Sequence, residues 1–169
     1  MNTKTKIKKL FVLLLVFSGN MSIVHAQPSL SKGSGLVNVG VGVVPGVGGN
    51  VSYDYGLIDY WGPGLFTVGG YLSVSAYDKR YEGIDRRDRN YFLSPRATYR
   101  YSVNSRFEVF GSVMIGLLIT DDNYGYPLDI SLGIMAGCRF FVTDNVGFFA
   151  EGGVNIRSTC FNGGLTIAF

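Results

Sequence analysis

The chain has 169 residues, with 15 Lys+Arg, 12 Asp+Glu, one histidine, two cysteines, 24 glycines and 23 tyrosines and phenylalanines. Two cysteines are too few for a disulfide-rich scaffold, and abundant glycine without a Gly-X-Y period excludes collagen. Four of the basic residues, Lys4, Lys6, Lys8 and Lys9, lie at the very start, so the overall basic balance is no argument for binding nucleic acid.

Those lysines precede an apolar run, Leu10 to Phe17, and the chain then reaches Val24-His25-Ala26-Gln27. A positive segment, a short apolar segment and a small residue at Ala26 predict a secretory signal peptide over residues 1 to 26, since the apolar run is too short to span a membrane as a helix. Its removal would leave 11 Lys+Arg against 12 Asp+Glu and no histidine. Residues 27 to 169 are then expected to form one domain.

A period of two runs through that domain. Val37, Val39, Val41 and Val43 alternate with Asn38, Gly40 and Gly42, which predicts a strand with one apolar face and one small or polar face. Pro45 to Asn50 reads as a turn. Val51, Tyr53, Tyr55 and Leu57 then alternate with Ser52, Asp54 and Gly56, and Asp59 to Gly64 reads as the next turn. Phe66, Val68, Leu72, Val74 and Ala76 oppose Thr67, Gly69, Tyr71, Ser73 and Ser75. Asp78 to Asn90, mixed in charge and without an apolar face, reads as a solvated loop.

The second half repeats the pattern. Tyr91, Leu93, Pro95, Ala97, Tyr99 and Tyr101 oppose Phe92, Ser94, Arg96, Thr98 and Arg100. After a turn over Ser102 to Arg106, Phe107, Val109, Val113, Ile115 and Leu117 oppose Glu108, Phe110, Ser112, Met114 and Gly116. Thr120 to Pro127 reads as a polar loop. Ile130 to Phe141 sets Cys138 and Phe140 against Arg139 and Phe141. Phe148, Ala150, Val154 and Ile156 oppose Phe149, Glu151, Asn155 and Arg157, and the last strand sets Leu165, Ile167 and Phe169 against Thr166 and Ala168. That makes eight strands.

The charges decide which face is inside. Asp54, Arg96, Arg100, Glu108, Arg139 and Glu151 all fall on the face shared with serines and glycines, and the other face is uncharged. Facing lipid outward and charges inward is the pattern of an eight-stranded antiparallel transmembrane up-and-down β-barrel, an all-β fold. Phe66, Tyr99, Tyr101, Phe107, Phe140, Phe148 and Phe169 would then share one level, as an interfacial aromatic girdle requires.

The leader, the eight alternating strands, the hairpin Arg139-Phe140-Phe141-Val142-Thr143-Asp144-Asn145-Val146-Gly147-Phe148-Phe149-Ala150-Glu151 and the terminal Phe169 resemble the small outer-membrane β-barrel domain family of the OmpA/OmpX-like kind, over Leu36 to Phe169. The resemblance implies that Leu165, Ile167 and Phe169 are read by the barrel-assembly machinery during biogenesis. It also implies outer-membrane lipid and lipopolysaccharide as surroundings. The two-domain members carry a peptidoglycan-binding domain after the barrel, which this sequence does not show, so a cell-wall tether is not expected.

Chemistry is sparse. Without His25, arrangements of the Ser-His-Asp or Cys-His type and histidine metal sites are excluded, and no metal site, cofactor or catalytic residue is expected. Gly40-Val41-Gly42 fails as a dinucleotide fingerprint because Pro45 takes the third glycine's place and no helix follows; these glycines are expected to clear space for inward arginines or to permit curvature. A turn centred on Asn104 would pair Arg100 with Glu108, and one centred on Asp144 would set Arg139 opposite Phe149 and diagonal to Glu151. These charges read as structural ion pairs. Cys138 and Cys160 lie too far apart along the barrel for a disulfide. Arg86, Arg87 and Arg89 are the candidates for binding lipopolysaccharide phosphates or an unknown extracellular partner. A structural or adhesive outer-membrane protein is the expected function, with a narrow pore or a secreted lipocalin-like binder as the alternatives. Phe92, Phe110, Phe141 and Phe149 are expected to plug the lumen against a pore.

Overall fold

A computed structural model describes residues 32–43, 46–61, 63–81, 84–121, 127–155 and 159–169, without the side chains of 59–61, 79–81, 84–87 and 155. The expected signal peptide lies outside the described residues.

Alternation of apolar with small or polar residues dictates strands throughout, and eight form: β1 (Gly35–Val43), β2 (Val47–Trp61), β3 (Gly64–Tyr81), β4 (Ile84–Ser102), β5 (Phe107–Asp121), β6 (Leu128–Phe141), β7 (Val146–Asn155) and β8 (Phe161–Ala168). Each pairs antiparallel with its sequence neighbours, and β8 pairs with β1 to close the barrel. Closure leaves no exposed sheet edge through the belt, which is the condition for a sheet to sit in hydrocarbon.

The register fixes the shape. A row of partners that leaves β4 at Arg100 runs through Phe110, Gly137, Glu151, Asn162, Gly42, Gly48 and Ser75, and returns to β4 at Asn90. The stagger is thus 100 − 90 = 10 residues around eight strands. With a rise of ~3.3 Å per residue and strands ~4.8 Å apart, that shear tilts the strands about 40° from the axis.

The faces are assigned as the alternation requires. Val39, Val41, Leu93, Val113, Ile115, Leu132, Ile134 and Leu165 are exposed on the outside, while the serines, threonines and all six strand charges singled out above are buried within. A soluble lipocalin-like barrel has the opposite sidedness, so that alternative is overturned.

Four boundaries and contacts differ from the sequence reading. Asp78 to Asn90 is not a loop. β3 and β4 continue as a hairpin in which Asp78 faces Arg87, Lys79 faces Arg86 and Arg80 faces Asp85, up to Tyr81 opposite Ile84. Two of these three paired positions carry opposite charges and one, Lys79 with Arg86, carries like charges. β2 runs on through Asp59 to Trp61, and β5 continues to Asp121, leaving shorter connections than expected. Gly40 clears space for an aromatic ring and not for arginine: a Cβ there would lie 2.7 Å from the Phe149 ring and 2.7 Å from the Gly163 carbonyl oxygen.

The fourth difference concerns the terminal residue. Phe169 was expected beside Phe140 and Phe148, but its ring stacks on Tyr53, with centroids 6.3 Å apart, after crossing over Gly35. Reciprocal backbone bonds between Gly35 and Phe169 of 2.7 and 2.9 Å hold it there. The strand stagger accounts for this, because β7 pairs Val146 with Ile167 and so leaves Phe169 below the level of Phe148. Other aromatics of the expected girdle meet across the ladder: Phe66 faces Tyr99, Phe107 faces Phe140, and Phe140 faces Phe148.

Candidate functional site

The interior is layered. At the end carrying residues 103–106, 142–145 and Phe169, Leu36, Phe141 and Ala168 form a small apolar cluster. Beyond the middle, Tyr71, Phe92, Met114, Leu118 and Met135 form a second. Between them lie Asp54, Arg96, Arg100, Glu108, Arg139 and Glu151, three acids and three bases, each 5% exposed or less.

All six converge into one network. Arg100 grips Glu108 in a fork, with Nε donating to Oε1 at 2.9 Å and Nη2 to Oε2 at 2.6 Å. Arg139 donates to the same Glu108 carboxylate through Nη1, to Asp54 through Nη2 at 3.2 Å, and to the Asn38 carbonyl oxygen through Nε at 3.3 Å. Arg96 donates to Glu151 at 2.9 Å, to Ser112 at 2.9 Å, to Ser52 at 3.2 Å and to Thr98 at 3.1 Å. Thr98 in turn donates to Asp54 at 3.3 Å. The Phe110 ring carries the Arg139 guanidinium 3.9 Å from its centroid, which uses the ring's negative face to hold a desolvated cation.

Two pairings differ from the sequence reading. Arg100 faces Phe110 across the ladder, and Ser102 faces Glu108, so the Arg100 to Glu108 bond is diagonal. The turn centres on Ser105 because Asn104 stands one position before the centre and accepts from the backbone N–H of Arg106 and Phe107 at 2.9 and 2.8 Å, an Asx turn. Thr143 does the same in the following hairpin, which has the expected register with Arg139 opposite Phe149. Glu151, however, binds Arg96 from across the lumen and Asn162 at 3.2 Å, not Arg139. Glu108 and Arg139 are direct ladder partners, a pairing between separate hairpins that turn geometry alone does not reveal.

Leu165 and Ile167 face outward on β8 opposite Val39 and Val37 of β1. Arg89 is exposed opposite Asp121, while Arg86 and Arg87 are placed by backbone on the extended hairpin. Cys138 and Cys160 form no disulfide with each other. Among the described residues, no group of three or more His, Cys, Asp or Glu could hold a metal ion. Sequence reasoning missed the neutral partners Asn38, Ser52, Thr98 and Ser112; Ser52 and Thr98 stand two residues from a charge on the same face, a signal that Asn38 and Ser112 lack.

No protein-family model matches this sequence, and no curated protein does. Solved structures match. The outer membrane protein Ail of Yersinia pestis aligns with a TM-score of 0.56 at 16% identity, over 82% of this chain and 100% of its own. The N-terminal β-barrel domain of Pseudomonas aeruginosa OprF aligns at 0.54 and 16% identity, over 82% and 97%. A de novo designed transmembrane β-barrel aligns at 0.57 and 17% identity, over 82% and 98%. The chain has the fold of the small outer-membrane β-barrels. In a barrel of this fold, inward charges must be compensated within the lumen, and the three-against-three network does so.

Proposed function

We propose that the protein is a non-catalytic outer-membrane barrel with a structural or adhesive role, its lumen closed to ions. The observation that carries this reading is the sidedness: exposed aliphatic residues form the outer belt, and the charges are buried and mutually paired. A conducting pore keeps water along its axis, whereas two apolar clusters flank the ion network here. The end with short turns then faces the periplasm, and the β3–β4 hairpin projects outside. Leu165, Ile167 and Phe169 present the strand read by the barrel-assembly machinery. Arg86, Arg87 and Arg89 engage lipopolysaccharide phosphates or an extracellular partner, because guanidinium groups bind phosphate in a fixed fork.

Three measurements test this. Cell fractionation with an unboiled gel is expected to give an outer-membrane band whose mobility changes on boiling; recovery as soluble protein overturns the reading. In planar bilayers the refolded chain is expected to give no steady conductance, and an ion-selective current would replace the closed lumen with the pore reading. Replacing Arg86, Arg87 and Arg89 together by serine is expected to weaken lipopolysaccharide association, and unchanged association removes that role.

A further inference from the structure

The outer belt is not evenly convex. Leu93, Val113, Ile115, Leu132 and Ile134 project from it, but across β6, β7 and β8 the outward positions shrink: Cys138 pairs with Ala150, and Ala150 with Gly163. The result is a groove of about 520 Å³ on the outside of the barrel, lined almost wholly by apolar surface. Its floor is bare main chain. Glu151 and Asn162 reach it only with their backbones, because their side chains are bonded inside the lumen, Glu151 to Arg96 and Asn162 to Tyr71.

The groove spans β6 to β1, three strand spacings or roughly 14 Å, and its two ends differ. At the end away from the short turns, the Phe161 ring leans over Gly152, where a Cβ would lie 3.1 Å from two of the ring atoms. Val43, the last residue of β1, stands beside Phe161. Together they close that end. At the other end Cys138 and Ala150 stand two residues from Phe140 and Phe148, which face each other near the 142–145 turn. The floor there is open: a Cβ at Gly163 would meet nothing nearer than the Phe149 carbonyl oxygen at 3.6 Å.

The occupant follows from where the groove opens. It is continuous with the lipid-facing belt, and its floor is main chain already paired in the ladder, so it offers water no partner. Left empty, its lining forfeits dispersion contacts. Because lipid hydrocarbon is as apolar as the belt itself, fit and not hydrophobicity selects what lies there. We propose that the groove seats one acyl chain of a phospholipid from the periplasmic leaflet, its methyl end under Phe161 and its glycerol end toward Phe140 and Phe148. The choice of leaflet rests on the orientation given under the proposed function. Lipopolysaccharide, in the opposite leaflet, would have to enter past Phe161 and Val43.

The test uses the full chain extracted from outer membranes into mild detergent, with bound lipid identified and counted by native mass spectrometry. One retained phospholipid per chain is expected. Gly163→Leu puts a side chain into the groove without touching the wall, and is expected to lower the retained phospholipid about tenfold, since leucine takes the space of several methylenes. Gly70→Leu is the control. Gly70 also faces outward, between Tyr53 and Pro95 on the other side of the barrel, and a Cβ there has as much room, 4.0 Å from the Ser94 carbonyl oxygen; retention is expected to stay unchanged. Should Gly163→Leu fail to give the heat-shifted band of a folded barrel, Ala150→Leu fills the same groove with the same expected loss. A folded barrel that retains no phospholipid, that retains lipopolysaccharide in its place, that loses phospholipid equally with Gly70→Leu, or that flies as a lipid-free dimer would overturn the inference. None of these outcomes touches the outer-membrane reading, which fails only if the chain is recovered as soluble protein.

Discussion

Replacing Glu108 with glutamine removes a carboxylate that two guanidiniums share. Arg100 forks onto it through two hydrogen bonds, and Arg139 holds its other face. The six buried charges then no longer cancel, and one positive charge is left in a lumen where these side chains are almost fully inaccessible to solvent. Breaking one partner of a buried pair costs about 3–5 kcal/mol, which is roughly a hundred- to several-thousand-fold in the folding equilibrium. Urea titration of the protein in lipid vesicles, read by fluorescence of the single tryptophan Trp61, measures this as a lower midpoint at unchanged slope. The companion variant Arg100→Leu with Glu108→Leu removes both members of the fork and leaves Arg139 on Asp54. It is expected to recover most of the loss, because an apolar pair of similar volume often matches a buried ion pair. A cost below about 1 kcal/mol for Glu108→Gln, or a double variant no better than the single one, would refute the reasoning.

Three further substitutions separate the outer surface from the terminal strand. Ile134, exposed between Val113 and Val154 in the outer belt, is expected to cost about 2–4 kcal/mol when replaced by arginine. The same replacement at Val146, at the end of its strand beside the 142–145 turn, is expected to cost about 1 kcal/mol or less, read by the same titration. Phe169→Ala removes a ring stacked on Tyr53 but leaves the backbone bonds to Gly35. The refolded variant is expected to lose about 0.5–1.5 kcal/mol, while its level in the outer membrane, measured by blotting of fractions, falls several-fold.

The barrel was legible in the sequence because side-chain alternation in strands is strict: Asp54, Arg96, Arg100, Glu108, Arg139 and Glu151 all came out on one face, and that face is inside. Partner choice was less legible. Strand tilt and shear bring Arg96 of β4 to Glu151 of β7 across the lumen, a contact that depends on the whole barrel's stagger and not on any hairpin. The same stagger moved Phe169 from Phe148 to Tyr53. The extension of β3 and β4 was misread because a segment without an apolar face carries no period-two hydrophobic signal. The Asn104 turn was centred one residue early because the capping side chain, the visible signal, is not at the turn's centre.

The claim that the apolar face of the barrel meets lipid is tested most directly on β5, Phe107–Asp121. In a chain with Cys138 and Cys160 replaced by alanine, single spin-labelled cysteines are placed in turn at 109 to 119 and the refolded protein is studied in lipid vesicles. Collision rates with oxygen, which concentrates in hydrocarbon, are expected to alternate with a period of two. Val109, Val113, Ile115, Leu117 and Ile119 should be high, and Phe110, Ser112, Met114 and Leu118 low. A flat profile, or maxima at the even-numbered positions, would contradict the account.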